Sequence, residues 1–301
     1  MGIFKHLVLT GSLLLVAVPG MANQTFSSDK ADFRLETVAQ NLEHPWSLAF
    51  MPDGSMLVTE REGELRMIRN GSLVNDPISG VPELVVSGQG GLLDVILHPD
   101  FEQNQVLFLS YAHRNRDGMT TRVARARLSG DRLTDVEVIF EALPRSGGGR
   151  HFAGRMEFDR DGNLYVAVGD RGEMDRAQDN SDDAGGVHRI TPDGGPAPGN
   201  PFLDTSGVND TFYTTGNRNI QGMTIHPETG EIWSHEHGPR GGDEINIIRA
   251  GTDYGWPTIT YGIDYSGLPI TDKTEKEGMA QPLHYWDPSI APSGMAFYTG
   301  D

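Results

Sequence analysis

The chain has 301 residues, no cysteine and a formal net charge of −18 at pH 7. Thiol catalysis, disulfides and zinc-thiolate sites are excluded, and nucleic acid or an anionic membrane surface, both of which need basic patches, is not an expected partner. With 38 Gly, 18 Pro and no long helical periodicity, the chain reads as many short strands joined by turns.

At the N-terminus, Lys5 and His6 precede an apolar run from Leu7 to Val18, followed by Pro19-Gly-Met-Ala22. This pattern predicts a secretory signal peptide over residues 1–22 and a mature domain over 23–301, exported to the periplasm or the medium. The run is short for a membrane span, and no later segment reaches the roughly 20 apolar residues that a transmembrane helix needs, so no membrane insertion is expected.

From Trp46 onward one phrase recurs: an alternating strand, a turn with Pro or Asp and Gly, and a second alternating strand. It occurs at Trp46 to Thr59, at Gly91 to Asp100 running on to Val106-Leu-Phe-Leu-Ser110, at Gly154 to Val168 and at Gly222 to Trp233. A fifth copy begins at Ser293-Gly-Met-Ala-Phe-Tyr298. Two further strand-like runs, Thr121 to Leu128 and Val136 to Leu143, bring the second repeat to about four strands. Four-stranded units at this spacing predict the blades of an all-β propeller. A β-sandwich is the alternative, but sandwiches do not repeat this phrase.

In a propeller the first strand of every blade lines the central channel, so the starts of these strands meet at one mouth. Alignment on the turn positions Pro52, Pro99, Arg160 and Pro227 brings Glu43, His44, Gln89, Arg150, His151, Arg218 and Asn219 to that mouth. The loops after the second strands, residues 60–64, 170–183 and 238–244, should rim it, as expected for a small-molecule site.

His151, between Gly147-Gly-Gly-Arg150 and Phe-Ala-Gly-Arg155, is a candidate general base. Arg218 and Asn219 offer a guanidinium fork and an amide suited to carboxylate and quinone oxygens. Gln89 is an amide among glycines that permit close backbone approach. The Gly238-Pro-Arg-Gly-Gly-Asp-Glu244 loop combines carbonyls with adjacent carboxylates, an oxygen-only set suited to calcium. His235 and His237 share a strand face but lack a clear third ligand, which disfavours zinc.

Together these phrases resemble the glucose/sorbosone dehydrogenase family, soluble quinoproteins, and within it the aldose sugar dehydrogenases. The likeness runs from about Leu42 through His44-Pro-Trp-Ser-Leu-Ala-Phe50, Gly88-Gln-Gly-Gly-Leu-Leu-Asp94, His151-Phe-Ala-Gly-Arg155, Arg218-Asn219, Glu236 to Asn246, Asp253-Tyr-Gly-Trp-Pro257 and Ala291 to Tyr298. The resemblance implies a six-bladed propeller in which His151 is the general base and Gln89, Arg218 and Asn219 hold pyrroloquinoline quinone (PQQ). It also implies calcium bound by the carbonyls of Gly238 and Pro239, by Glu244 and by the backbone of Tyr254. The implied reaction is oxidation of an aldose at C1 to the lactone, with Arg218 and calcium polarising the quinone and an external quinone, cytochrome or dye taking the electrons.

Three positions depart from the best-known glucose dehydrogenases: Arg150 stands where they carry aspartate, Ile220 replaces a usual proline, and Thr299 falls where they have a lysine. Four blades and the start of a fifth are legible, so the sequence is expected to be truncated relative to a closed ring. Two other readings stay open at this stage: a calcium-dependent propeller lactonase, and a non-catalytic carbohydrate-binding propeller.

Overall fold

The computed structural model describes residues 25–300, so the expected signal peptide lies outside the described residues. Two compact units divide between Gln40 and Asn41. The described part of the first is a hairpin of β1 (Thr25–Ser27) and β2 (Asp32–Arg34), with Phe26 stacked on Phe33.

The second unit holds four sheets in chain order. The first contains β3 (Pro45–Phe50), β4 (Met56–Glu60), β5 (Leu65–Arg69) and β6 (Ser72–Leu73). The second contains β7 (Leu92–Leu97), β8 (Val106–Asn115), β9 (Gly118–Ser129) and β10 (Arg132–Glu141). The third contains β11 (Ala153–Phe158), β12 (Leu164–Val168), β13 (Gly186–Ile190) and β14 (Phe212–Thr215). The fourth begins with β15 (Ile220–Ile225), β16 (Ile232–Glu236) and β17 (Asp243–Ile247). After β17 the chain returns to the third sheet as β18 (Thr252–Asp253), parallel to β14, and then completes the fourth sheet with β19 (His284–Trp286). Neighbouring strands within the four-stranded blades pair antiparallel, and the first strands β3, β7, β11 and β15 pack side by side. This is the expected propeller arrangement, with four blades among the described residues.

Turn chemistry explains why the repeated phrase folds as it does. Asp53 Oδ1 accepts from Ser55 N–H at 2.9 Å and Asp159 Oδ1 from Asn163 N–H at 2.8 Å, while Gly54 and Gly162 take φ of 82° and 80°. Each aspartate thereby closes the hairpin, and glycine supplies the left-handed residue. In the second blade the same connection is built by a short helix, α1 (Phe101–Asn104). Sequence alternation alone does not reveal that helix.

Blades are buried on both faces, so runs such as Leu164-Tyr-Val-Ala-Val168 lose alternation and become apolar throughout. Leu57, Leu65, Leu92, Leu107 and Leu109 form the core between the first and second blades. Phe108, Val123, Met156, Leu164 and Val166 fill the space between the second and third, and Tyr165, Val187, Ile220 and Ile232 lie between the third and fourth. Each such side chain contributes about 1.5–3 kcal/mol by burial.

Two findings differ from the sequence expectation. The third sheet has a fifth strand, β18, and residues 293–298 form no strand. A strand needs a hydrogen-bonded neighbour, and none of the described residues pairs with that segment in a ladder. Phe297 instead packs edge-on against Trp233 and His226.

Candidate active site

Every inner strand begins with a register shift against its partner: between Pro45 and Ser47, Leu92 and Val95, Ala153 and Met156, and Ile220 and Gly222. Such bulges re-aim side chains, and here they shape the mouth. A cavity of about 270 Å³ is lined there by Trp46, Arg61, Gln89, Leu93, Phe152, Ala153, Asn219, Gln221 and His237. Gln89 and Asn219 thus stand where the repeat alignment places them. Glu43 and His44 do not line the cavity. His44 is largely exposed and pairs with Glu62 at 2.9 Å, and the first blade offers Trp46, within the bulge, and Arg61, after β4, instead.

His151 is held from three sides. Its backbone N–H donates to Gln89 Oε1 at 2.7 Å, and Asn219 Oδ1 accepts from Ala153 N–H at 3.2 Å. Its Nδ1 lies 2.5 Å from Asp170 Oδ1. His151 and Ala153 take left-handed φ of 48° and 52°, a strained backbone of the kind that concentrates at functional sites. Gly169 is required beside it, because a Cβ there would lie 2.2 Å from the His151 carbonyl oxygen.

Asp170 also accepts from Gly172 N–H at 2.7 Å and, through Oδ2, from Trp256 Nε1 at 2.8 Å. Burial pushes its carboxyl up, but the hydrogen bond and charge of His151, the Gly172 N–H and the charge of Arg218 outweigh that and hold it below the usual range. An ionised Asp170 can only accept, so the neutral tautomer of His151 that it selects carries its proton on Nδ1, with the lone pair on Nε2. Among the described residues Nε2 of His151 and the amide nitrogens of Gln89 and Asn219 have no protein partner.

Next to this cavity, and sharing His237 with it, is a second void of about 10 Å³, room for one water or ion. Gly238, Glu244 and Tyr254 line it as anticipated, together with Arg218 and Glu236, whereas Pro239 is not among its lining residues. Arg218 Nη1 donates to the carbonyls of His237 at 2.9 Å and Gly238 at 2.7 Å, and the guanidinium lies 5.2 Å from the Trp256 ring centroid. It therefore stands at the small void rather than in the larger cavity with Gln89 and Asn219. The β18 return places Tyr254 and Trp256: Tyr254 N–H donates to Thr215 and Trp256 N–H to Gly216. Gly216 permits it, since a Cβ there would meet Asp253 Oδ1 and Gly255 N.

Glu236 and Glu244 are register partners across β16 and β17. Like charges in that relation repel. Burial raises both carboxyls, Glu244 to about 8 with the Glu236 charge adding to it. Among the described residues no group of three or more His, Cys, Asp or Glu side chains converges on a metal position. His235 and His237 turn their Nε2 atoms to the carbonyls of Ser293 and Pro292.

Asp170, Trp256, Arg61, Trp46 and Glu236 escape individual assignment from sequence. Asp170 and Glu236 lie in segments singled out as loop or motif, but only the fold reveals their partners. The cations differ as well. Arg150 is exposed, and Arg155 lies in the channel interior, donating to Gln221 O at 2.7 Å and stacking over Trp46 at 3.9 Å.

Comparison with known proteins agrees with this geometry. The profile of the Glucose / Sorbosone dehydrogenase family matches residues 42–301. The aldose sugar dehydrogenase YliI of Escherichia coli K12 is 44% identical over 277 residues, covering 90% of this chain and 75% of that protein. The apo-form structure of the soluble aldose sugar dehydrogenase from E. coli superposes with a TM-score of 0.86 at 44% identity, over 88% of this chain and 78% of the other. The PQQ-bound aldose sugar dehydrogenase of Streptomyces coelicolor gives a TM-score of 0.73 at 31% identity, over 87% and 74%. The chain belongs to the glucose/sorbosone dehydrogenase family of oxidoreductases.

Proposed function

We propose that this protein is an exported quinoprotein that oxidises aldoses at C1 to lactones, using PQQ and calcium, and that its blades belong to a six-bladed ring. The observation that carries the reading is the His151–Asp170 pair at 2.5 Å beside a cavity of about 270 Å³. A histidine fixed as the Nδ1–H tautomer by an ionised carboxylate is a general base with one open nitrogen.

The cavity residues suit a flat anionic ligand. Trp46 and Phe152 line it with aromatic rings, Arg61 brings a cation paired with Glu62, and Gln89 and Asn219 bring unpartnered amide donors. Bound there, PQQ would supply the two-electron acceptor for the C1 hydride. Nε2 of His151 takes the proton of the anomeric hydroxyl, and Asp170 stabilises the imidazolium that results. Gln89 and Asn219 hold the backbone on either side of that imidazole.

The small void fits a hard cation, because it brings two buried, register-paired carboxylates together with the Gly238 loop in a space for one ion. Glu244 and Glu236 would hold calcium with oxygens of Gly238 and Tyr254, while Pro239 would serve only through its place in the loop. Trp256 links this void to Asp170, so Arg218 and the ion would act on the site from one side. The six-bladed ring is supported by the apolar face of the first blade, where Phe50 is 73% exposed. Export is supported by the apolar run of residues 7–18.

The test is titration with PQQ and calcium, followed by dye reduction with an aldose. Quinone-dependent reduction, and a fall in Tm when calcium is chelated, are expected because an ion that binds the native state stabilises it. Lactone opening without quinone, or a calcium-stripped protein unchanged in Tm and quinone affinity, would overturn it.

A further inference from the structure

We propose that Arg171 is a positioning residue that clamps the backbone carrying His151, and this inference rests on the function proposed above. Arg171 follows Asp170 in the turn after β12, with φ of 60° and Gly172 at 77° behind it. It is only 3% exposed. Its Nη1 donates to the carbonyl of Arg150, its Nη2 donates to the carbonyl of Gly148 at 2.7 Å, and its guanidinium lies 3.4 Å from the centroid of the Phe152 ring. One side chain thus grips residues 148, 150 and 152 on both sides of His151.

Beyond His151 the segment is tied by Thr121 Oγ1, which donates to the Phe152 carbonyl at 2.7 Å, and by Asn219 at the Ala153 N–H. Gly147, Gly148 and Gly149 carry no side chains, and the backbone at His151 is left-handed. Strain of this kind persists only where surrounding contacts over-determine it. Gln89 supplies two of those contacts, through Gly149 O at 2.8 Å and His151 N at 2.7 Å. Arg171 supplies two more, at the carbonyls of Gly148 and Arg150. Because Asp170 and Arg171 are adjacent, a single turn fixes the imidazole of His151 through one residue and its main chain through the next.

Among the described residues Arg171 shares with Arg218 a burial without an ion pair, which sets both apart from the other interior arginines. Arg155 pairs with Asp94, Arg176 with Asp182 and Arg189 with Asp159, whereas Arg171 has no carboxylate within ion-pair distance among the described residues. Its Nε is buried without a partner. Burial, with the charge of Arg176, pushes the guanidinium down to about 10. A buried cation without a counter-ion is costly and is a poor device for stability alone. A planar fork that meets two carbonyls while stacking on a ring is, however, a geometry that lysine cannot reproduce.

The experiment compares wild type, Arg171→Met and Arg171→Lys as the full chain, by native-state hydrogen exchange and by steady-state kinetics with PQQ, calcium and an aldose. Exchange over residues 147–152 and at Gln89 should quicken about tenfold or more in Arg171→Met, with the rest of the blades unchanged, as a local opening requires. On the same reading kcat should fall about tenfold while the aldose KM stays within about twofold, with Arg171→Lys intermediate. Should Arg171→Met fail to fold, Arg171→Lys decides by the same readouts. Unchanged local exchange and kcat would overturn the inference. So would faster exchange across all four blades with kcat falling only in proportion to the unfolded fraction. If wild type fails to reduce dye with quinone, yet exchange over 147–152 still quickens in the variants, the clamp stands and the proposed function falls.

Discussion

The mouth and the interior of the channel are lined from the same inner strands, yet their polar side chains are arranged differently. In the interior Asp94 is saturated: Oδ1 accepts from Ser47 Oγ at 2.5 Å, Val95 N at 3.0 Å and Arg155 Nη1 at 3.4 Å, and Oδ2 from Met156 N at 2.9 Å. With Arg155 reaching Gln221 O and Trp46 O, this network stitches all four inner strands together. At the mouth, Gln89 and Asn219 give their oxygens to the backbone around His151 and keep their nitrogens unpartnered, and His151 keeps Nε2. A closed network serves stability, and open donors serve a ligand.

If that contrast is right, interior substitutions change folding and leave chemistry alone. The largest expected effect is that of Asp94→Ala, which leaves Arg155 buried without its carboxylate and should lower unfolding free energy by about 3–5 kcal/mol in urea denaturation. Turnover per folded molecule should change less than about threefold. A large loss of turnover with little loss of stability would break the distinction.

A smaller effect is expected at Glu157, which lines the interior cavity with Asp94 and Arg155. Burial raises its carboxyl from 4.5 to about 7, with a further contribution from Asp94 and opposition from the N–H groups of Phe158 and Ile225. A folded-state value above the unfolded one means that the native state holds the proton more tightly. The stabilisation is complete below pH 4.5 and is lost as pH rises through about 7, up to about 3 kcal/mol in all. Glu157→Gln should flatten the stability profile between those limits. Superimposable profiles for variant and wild type would show that Glu157 does not titrate there.

Much of this was legible in the sequence. The repeated strand-turn-strand phrase gave the blades because hairpin turns need Asp and Gly at fixed offsets, and it placed Gln89, His151 and Asn219 at the mouth. His44 instead faces solvent and pairs with Glu62, a contact that the repeat offset does not encode, and the first blade meets the cavity with Trp46 and Arg61. Trp256 and Tyr254 reach the site through β18, which runs parallel to a strand nearly forty residues earlier, and no local periodicity encodes such a pairing. Asp170 and Arg171 sit in a loop read as a polar rim. Their partners are visible only once β11 and β12 are paired.

His151, a base held by Asp170, is the centre of the proposed chemistry, and the most direct measurement is single-turnover aldose oxidation by His151→Gln with PQQ and calcium bound. The rate should drop about 10²-fold or more, as loss of a general base does, while quinone affinity stays within about threefold and the unfolding midpoint is unchanged. A variant that oxidises aldose at the wild-type rate would contradict it.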